Sequence, residues 1–214
     1  MSKSLDTKLL ILICSRHPNP FLYKNIEKLR DFYKDAKIAI IDSDSEKFDT
    51  YHIVKESFPD VDLHFLKNKN YEYGAWKIGY TLYPKFEMYM CIQDSLLVQA
   101  PLDLSIIDSN NVYTFFHPSG FLYDIPTIPI VKELTQNTGL IYDDLIPTLF
   151  NITAHSSFVV NNYRFGHILS TLINPPSNKV GSCAYERIFG LYFILNGIHT
   201  HPMNQYFNKF EGGR

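Results

Sequence analysis

Asp94 is a lone carboxylate at the end of the apolar stretch 88–92, flanked by Gln93 and Ser95, before apolar residues resume at 96–98. An acid at the carboxyl end of a buried strand is displayed where open α/β sheets bind their ligands. Its chemistry there is to hold a hard divalent cation, because Mg²⁺ commonly takes one or two carboxylates and completes its shell with phosphates and waters. The plainer reading of the same residue is a turn or capping acid, a role aspartate fills often. Asp42 and Asp44 stand in the corresponding place after residues 37–41, and Ser15 and Arg16 after residues 9–14. Serine and aspartate at such points also cap helices, so capping and ligand binding are both open to them.

The elements that must position these residues alternate. Residues 9–14 form a continuous apolar run rich in branched side chains, which suits a strand buried on both faces. A break at 18–20 leads to helical spacing of Phe21, Ile26, Leu29 and Phe32 among charged residues. Strands are expected over 37–41, 61–66, 88–98, 111–116 and 156–160. Helices are expected through Tyr51 and Phe58, through Trp76 and Leu82, over 164–172 and over 184–195, with Gly197 as the stop. Strands separated by helices imply a parallel sheet with right-handed crossovers. The expected fold class is therefore α/β, a Rossmann-like, mostly parallel central sheet flanked by helices.

With 214 residues, 45% of them apolar and 20% charged, the chain can bury one substantial core, and one domain spanning 1–214 is expected. A net charge of -2 leaves no basic footprint for nucleic acid. Cys14, Cys91 and Cys183 lie far apart without a CxxC or Cys/His cluster, which argues against a zinc site or disulfide framework and for a reducing compartment. No signal peptide is read in the polar N-terminal residues, and no apolar run is long enough to span a bilayer. A cytoplasmic protein is the expectation. The segment 70–77 is neither a Walker A loop nor GxGxxG, so the fingerprints of nucleotide hydrolases and dinucleotide enzymes are missing.

The order of pieces resembles glycosyltransferases of the GT-A fold. The likeness covers most of the chain and rests on four places: the opening strand with Ser15 and Arg16 after it, the acidic turn at 40–44, the segment 70–77 before the fourth strand, and 92–95 where the family has DxD. The departure is at the last of these, since a full motif would put acids on both sides of the central position where Gln93 and Ser95 stand.

The resemblance implies a hexosyltransferase that takes a nucleotide-sugar donor, a UDP-sugar first, and delivers the sugar to a hydroxyl of a glycan or other acceptor. A nucleotide-binding half at about 1–98 and an acceptor half at about 99–214 follow from it. Mn²⁺ or Mg²⁺ bridging the diphosphate would stabilise the leaving group as a Lewis acid, held by Asp94 and by His201 as the late histidine ligand. Asp42 and Asp44 fall where the base and ribose are seated, with Ser15 and Arg16 beside them. Tyr73, Gly74 and Lys77 fall on the sugar and phosphate side: Gly74 permits close backbone approach, and Lys77 is expected in the first helical turn, where free N–H groups favour anions. Gln93 and Ser95 join Asp94 in the donor site. Glu186 resembles the family's general base, with His155 as its substitute or as a lining of the acceptor pocket. Against the catalytic reading, Glu186 is also what the N-terminus of a helix favours. The competing function is a non-catalytic nucleotide-sugar or glycan-binding module with a degenerate DxD motif.

Overall fold

Unbroken leucine and isoleucine leave a strand no polar face to show to water, and β1 (Leu9–Ser15) is buried along its whole length. In the computed structural model, which describes residues 8–18, 20–121 and 125–210, β1 lies between two parallel partners, β2 (Lys37–Asp42) and β4 (Met88–Gln93). The N-terminal residues read for a signal peptide, and Asn19 of the break after β1, lie outside the described residues. Short β3 (Asp62–His64) extends the sheet past β2. On the other side β4 pairs antiparallel with β7 (Asn151–Asn161), which pairs antiparallel with β6 (Asn111–Pro118), and β8 (His199–Pro202) runs parallel to β6 at the edge. The order is β3-β2-β1-β4-β7-β6-β8, a mostly parallel sheet as the alternating pattern predicts.

The two-residue period of a strand decides which helices each residue meets. Leu10, Leu12, Cys14, Tyr89 and Cys91 face α3 (Tyr71–Leu82), α5 (Asn162–Thr171) and α6 (Lys179–Leu195) in one core, joined by α4 (Thr127–Leu134). Ile11, Ile13, Met90 and Ile92 face α1 (Phe21–Phe32) and α2 (Asp49–Ser57) in the other. The consequence at the carboxyl ends is that Cys14 and its register partner Gln93 belong to the α3–α6 side.

Three local departures from the sequence expectation shape the site. The stretch 88–98 is not one strand: it turns at Asp94 and Ser95, and β5 (Leu96–Val98) leaves the main sheet to pair with β9 (Phe207–Lys209) in a small ribbon. Helix α6 starts at Lys179, five residues before the expected 184, because the side chain of Asn178 accepts the Gly181 N–H at 2.8 Å and caps it. Strand β7 is longer than the expected 156–160, and His155 and Ser156 within it adopt left-handed φ of 56° and 49° where its register with β6 shifts. Such backbone costs free energy in a non-glycine residue and persists where surrounding contacts hold it. Here the Trp76 indole donates to the Ser156 carbonyl at 3.0 Å and Glu186 accepts the His155 N–H at 2.9 Å.

Candidate functional site

The carboxyl ends of β1, β2 and β4 carry two adjoining pockets of about 170 and 280 Å³ that share Arg16, Ser43 and Tyr71. The first is closed by Cys14, Glu72, Gln93 and Lys179, the second by Asp44, Asn68, Lys69 and Ser177. Three cations, Arg16, Lys69 and Lys179, therefore line one continuous cleft. The walls are built locally. Ser43 accepts an N–H from Asn68 at 2.9 Å, and the Asn68 amide also donates to the Tyr71 carbonyl at 2.7 Å, fixing the loop that opens α3. The Glu72 carboxylate accepts from Gln93 at 2.5 Å and from Ser182 at 2.8 Å, tying α3 and α6 to the tip of β4.

Arg16, Asp44 and Gln93, all singled out in the sequence, line this cleft, while several of their companions do other work. Asp42 is 3% exposed; its two oxygens accept the Tyr51 hydroxyl at 2.8 Å and the Ser45 N–H at 3.0 Å, so it shapes the turn that presents Asp44. Asp94 is 4% exposed and accepts the hydroxyl of Ser15 at 2.8 Å, which keeps both residues in the sheet-end framework, outside the lining of the two pockets. The Tyr73 hydroxyl donates to the Leu172 carbonyl and its ring packs on Tyr185, so Tyr73 is core. The close approach at Gly74 is made by a side chain of the protein itself: a Cβ there would overlap Asn68 Oδ1. Lys77 is exposed in the second turn of α3, which begins at Tyr71, and it lines a separate depression with Leu66 and Pro175.

His201 stands apart from Asp94. It lies on β8, three strands from β4, a separation of about 14 Å at ordinary strand spacing, and its imidazole faces Asn111 at 3.4 Å beside the rings of Tyr113 and His199. The pairing of Asp94 with His201 on one ion is thereby corrected. The period-two pattern could not reveal this, because the chain crosses to the far edge of the sheet after α6.

Glu186 and His155, 31 residues apart, do come together: the Glu186 carboxylate accepts the His155 backbone N–H. Glu186 lies two turns into α6, past the reach of the helix dipole that the capping reading relied on. Burial raises its carboxyl above the ordinary range, and the His155 N–H and the Arg187 charge offset part of that. The His155 imidazole is pushed down to about 4 by burial, then by the positive charges of Lys209 and Lys179, so it is neutral at physiological pH. A carboxylate with raised affinity for a proton is suited to general base chemistry.

Lys69, Glu72 and Lys179 line the cleft and Lys209 adjoins it through Gln93; spacing revealed none of the four. Lys209 donates to Gln93 Oε1 at 2.8 Å and also to the Ser95 hydroxyl. The donor pair at the motif's outer positions does not suit Mn²⁺ or Mg²⁺: Gln93 and Ser95 are uncharged and already hold an ammonium. Among the described residues no three of His, Cys, Asp and Glu converge as a metal-binding group. No described helix is long and apolar enough to cross a membrane.

No family profile and no curated protein sequence matches the chain. Solved structures do. The chain is similar to the mannosyltransferase PcManGT from Pyrobaculum calidifontis, solved in complex with GDP-Man and Mn²⁺, with a TM-score of 0.54 and 9% identity over 93% of this chain and 56% of that one. It is similar to the galactosyltransferase LgtC, solved with donor and acceptor sugar analogs, with a TM-score of 0.52 and 9% identity over 92% of this chain and 74% of that one. An active-site mutant of LgtC matches at 0.52 and 8% identity, over 92% and 73%. The chain thus spans little more than half the length of the mannosyltransferase. At these identities the likeness is one of fold, and the fold is GT-A-like.

Proposed function

We propose that this chain is a glycosyltransferase that moves a hexose from a nucleoside diphosphate sugar, a UDP-sugar foremost, to a hydroxyl of a glycan or other acceptor. The observation that carries the reading is the cleft over the ends of β1, β2 and β4, lined by Arg16, Lys69 and Lys179 and neighboured by the Glu186–His155 pair. Residues 1–98 contribute the donor half, with Arg16 toward the phosphates and Asp44 toward the base or ribose, and Lys179 joins Arg16 from the start of α6. Residues 99–214 contribute the acceptor half. The three cysteines stand as thiols in separate places, which accords with a reducing, cytoplasmic setting.

In this reading Arg16 and Lys179 orient the diphosphate through charge-assisted hydrogen bonds and spread its charge. Tyr71 lines both pockets, and its ring can stack on a base or sugar face. Glu186 takes the proton of the acceptor hydroxyl as the oxygen attacks the anomeric carbon; the bond from that carbon to the diphosphate oxygen breaks, and the nucleoside diphosphate leaves with the electron pair. The backbone N–H of His155 holds the Glu186 carboxylate in place. The outcome is inversion at that carbon.

Arg16→Ala and Lys179→Ala are expected to weaken binding of UDP or GDP, whichever binds the wild type, by about ten- to a hundredfold each, the range for loss of a hydrogen bond to a charged group. Isothermal titration measures it. Nucleoside diphosphate release from a panel of UDP- and GDP-sugars then tests turnover; the absence of release with every donor, in the presence of mono- and oligosaccharide acceptors, would contradict the assignment.

A further inference from the structure

The positions that would carry acids in a full DxD motif carry an amide and a hydroxyl, and both are bonded to one ammonium group. Lys209 Nζ donates to Gln93 Oε1 at 2.8 Å and to the Ser95 hydroxyl. We propose that Lys209 is this protein's built-in diphosphate cation, occupying the place of a divalent metal, so that the nucleoside diphosphate binds and departs without a metal ion. The inference rests on the reading of the cleft as a nucleoside diphosphate site and names the charge that serves it.

Four features argue for a purpose-built position. First, the lysine is placed by structure on both sides: Lys209 is the register partner of Leu96 in the β5–β9 ribbon, and the next residue, Phe210, donates its N–H to the Ser95 carbonyl at 2.8 Å and lays its ring against Phe21 at 3.9 Å between centroids. The ribbon is anchored below by Phe207 and Met203, both buried. Second, the orientation of the glutamine is determined. Its Nε2 donates to Glu72 at 2.5 Å, which leaves Oε1 to face Lys209. Third, the two acceptors are neutral: they orient the ammonium through its N–H groups, where a pair of aspartates would add two negative charges at the place a diphosphate would take.

Fourth, the charge is felt inside the site, because Lys209 is among the groups that hold the His155 imidazole in its neutral form. Gln93 itself lines the cleft beside Arg16 and Lys179. A dication seated between Gln93 and Ser95 would meet the lysine at hydrogen-bonding range, and two cations that close repel strongly. An ammonium already fixed where charge develops on the departing diphosphate needs no reorganisation as the sugar bond breaks.

Calorimetric titration of UDP and of GDP, with EDTA and with Mn²⁺, into wild type, Lys209→Met and Lys209→Arg tests this. Wild type is expected to bind UDP or GDP in EDTA, with less than about a twofold change on adding Mn²⁺. Lys209→Met is expected to lose about ten- to a hundredfold in affinity in EDTA while Lys209→Arg, which keeps the charge, loses far less. Thermal melts of the three proteins separate a lost cation from a lost ribbon. Binding that requires Mn²⁺, or Lys209→Met binding in EDTA as tightly as wild type, overturns the role of Lys209 and leaves the cleft assignment standing. If neither nucleotide binds wild type in either condition, the cleft assignment fails and this inference falls with it.

Discussion

Replacing Glu186 by Gln is expected to cut kcat by about a hundred- to ten-thousandfold, the usual worth of a positioned general base, while raising the melting temperature at neutral pH. Both signs come from one cause. The Glu186 carboxyl titrates above its ordinary value of 4.5 because burial penalises its charged form. A folded state that holds the proton more tightly than the unfolded chain loses stability as pH rises from the ordinary carboxylate value through the raised one, and it carries the full cost above that. An uncharged glutamine side chain would carry no such cost. Its amide oxygen can still accept the His155 N–H, so the contact between α6 and β7 survives. The stability gain should therefore fade as the pH is lowered below the ordinary carboxylate range, where wild type and Glu186→Gln become alike.

The same pair of residues yields a pH signature. With Glu186 as base, kcat/KM of the wild type falls on the acid side at a pH above the ordinary carboxylate value. With His155 as base, the fall lies near pH 4. His155→Ala should leave the position of the acid limb close to that of wild type, and an acid limb that vanishes in His155→Ala would transfer the role from Glu186 to the imidazole.

Gly190→Ala is expected to destabilise the fold by about 1–3 kcal/mol, although alanine is ordinarily the better helix former by about 1 kcal/mol. The reason is contact with main chain. A Cβ at position 190 of α6 would overlap the Asn151 carbonyl oxygen and lie 3.0 Å from the Ile152 Cα, and backbone cannot rotate aside as a side chain does. Relief must come from lifting α6 off β7. Glu186 lies one turn before Gly190 on the same helix, so the shift also pulls its carboxylate from His155. For a chain of this size the melting temperature should drop by about 2–4 °C per kcal/mol, and kcat should fall more than the melting temperature alone explains. A Gly190→Ala protein with wild-type melting and turnover would show that α6 does not need this close approach.

The parts of the fold that could be read from sequence were those whose signal is local. The branched apolar runs of β1 and β2, each ending at a polar residue, placed the mouth of the sheet correctly and brought Arg16, Asp44 and Gln93 to notice. The ribbon was invisible because β9 has three residues, no alternation to detect, and a partner more than a hundred residues earlier in the chain. Its one local clue was three polar residues in a row, Gln93 to Ser95, inside a stretch otherwise apolar, which is what a turn between two strands looks like. The start of α6 was obscured because Gly181, Ser182 and Cys183 have weak helix propensity; the cap at Asn178, three residues before Gly181, was the better guide. Lys179 and Lys209 escaped because a lone lysine beside no motif is usually a solvated surface residue, and what distinguishes these two is position in the folded chain alone.

Sequence alternation also explains the reversal of roles at the sheet tip. Asp94 and Asp42 were prominent as strand-end acids, yet alternation carries Ser15 and Asp42 toward the α1–α2 side, where Asp94 and Tyr51 meet them. The residues one position earlier on β1 and β4, Cys14 and Gln93, face the cleft. Strand-end position identified the place, and the parity of the strand decided which residue serves it.

The most direct test of the central claim is a crystal of this protein soaked with UDP or GDP. The account predicts diphosphate density in the cleft between Arg16 and Lys179, within reach of Lys209, with the base or ribose toward Asp44. Density seated elsewhere, or a cleft empty at saturating concentrations of both nucleotides, would contradict it.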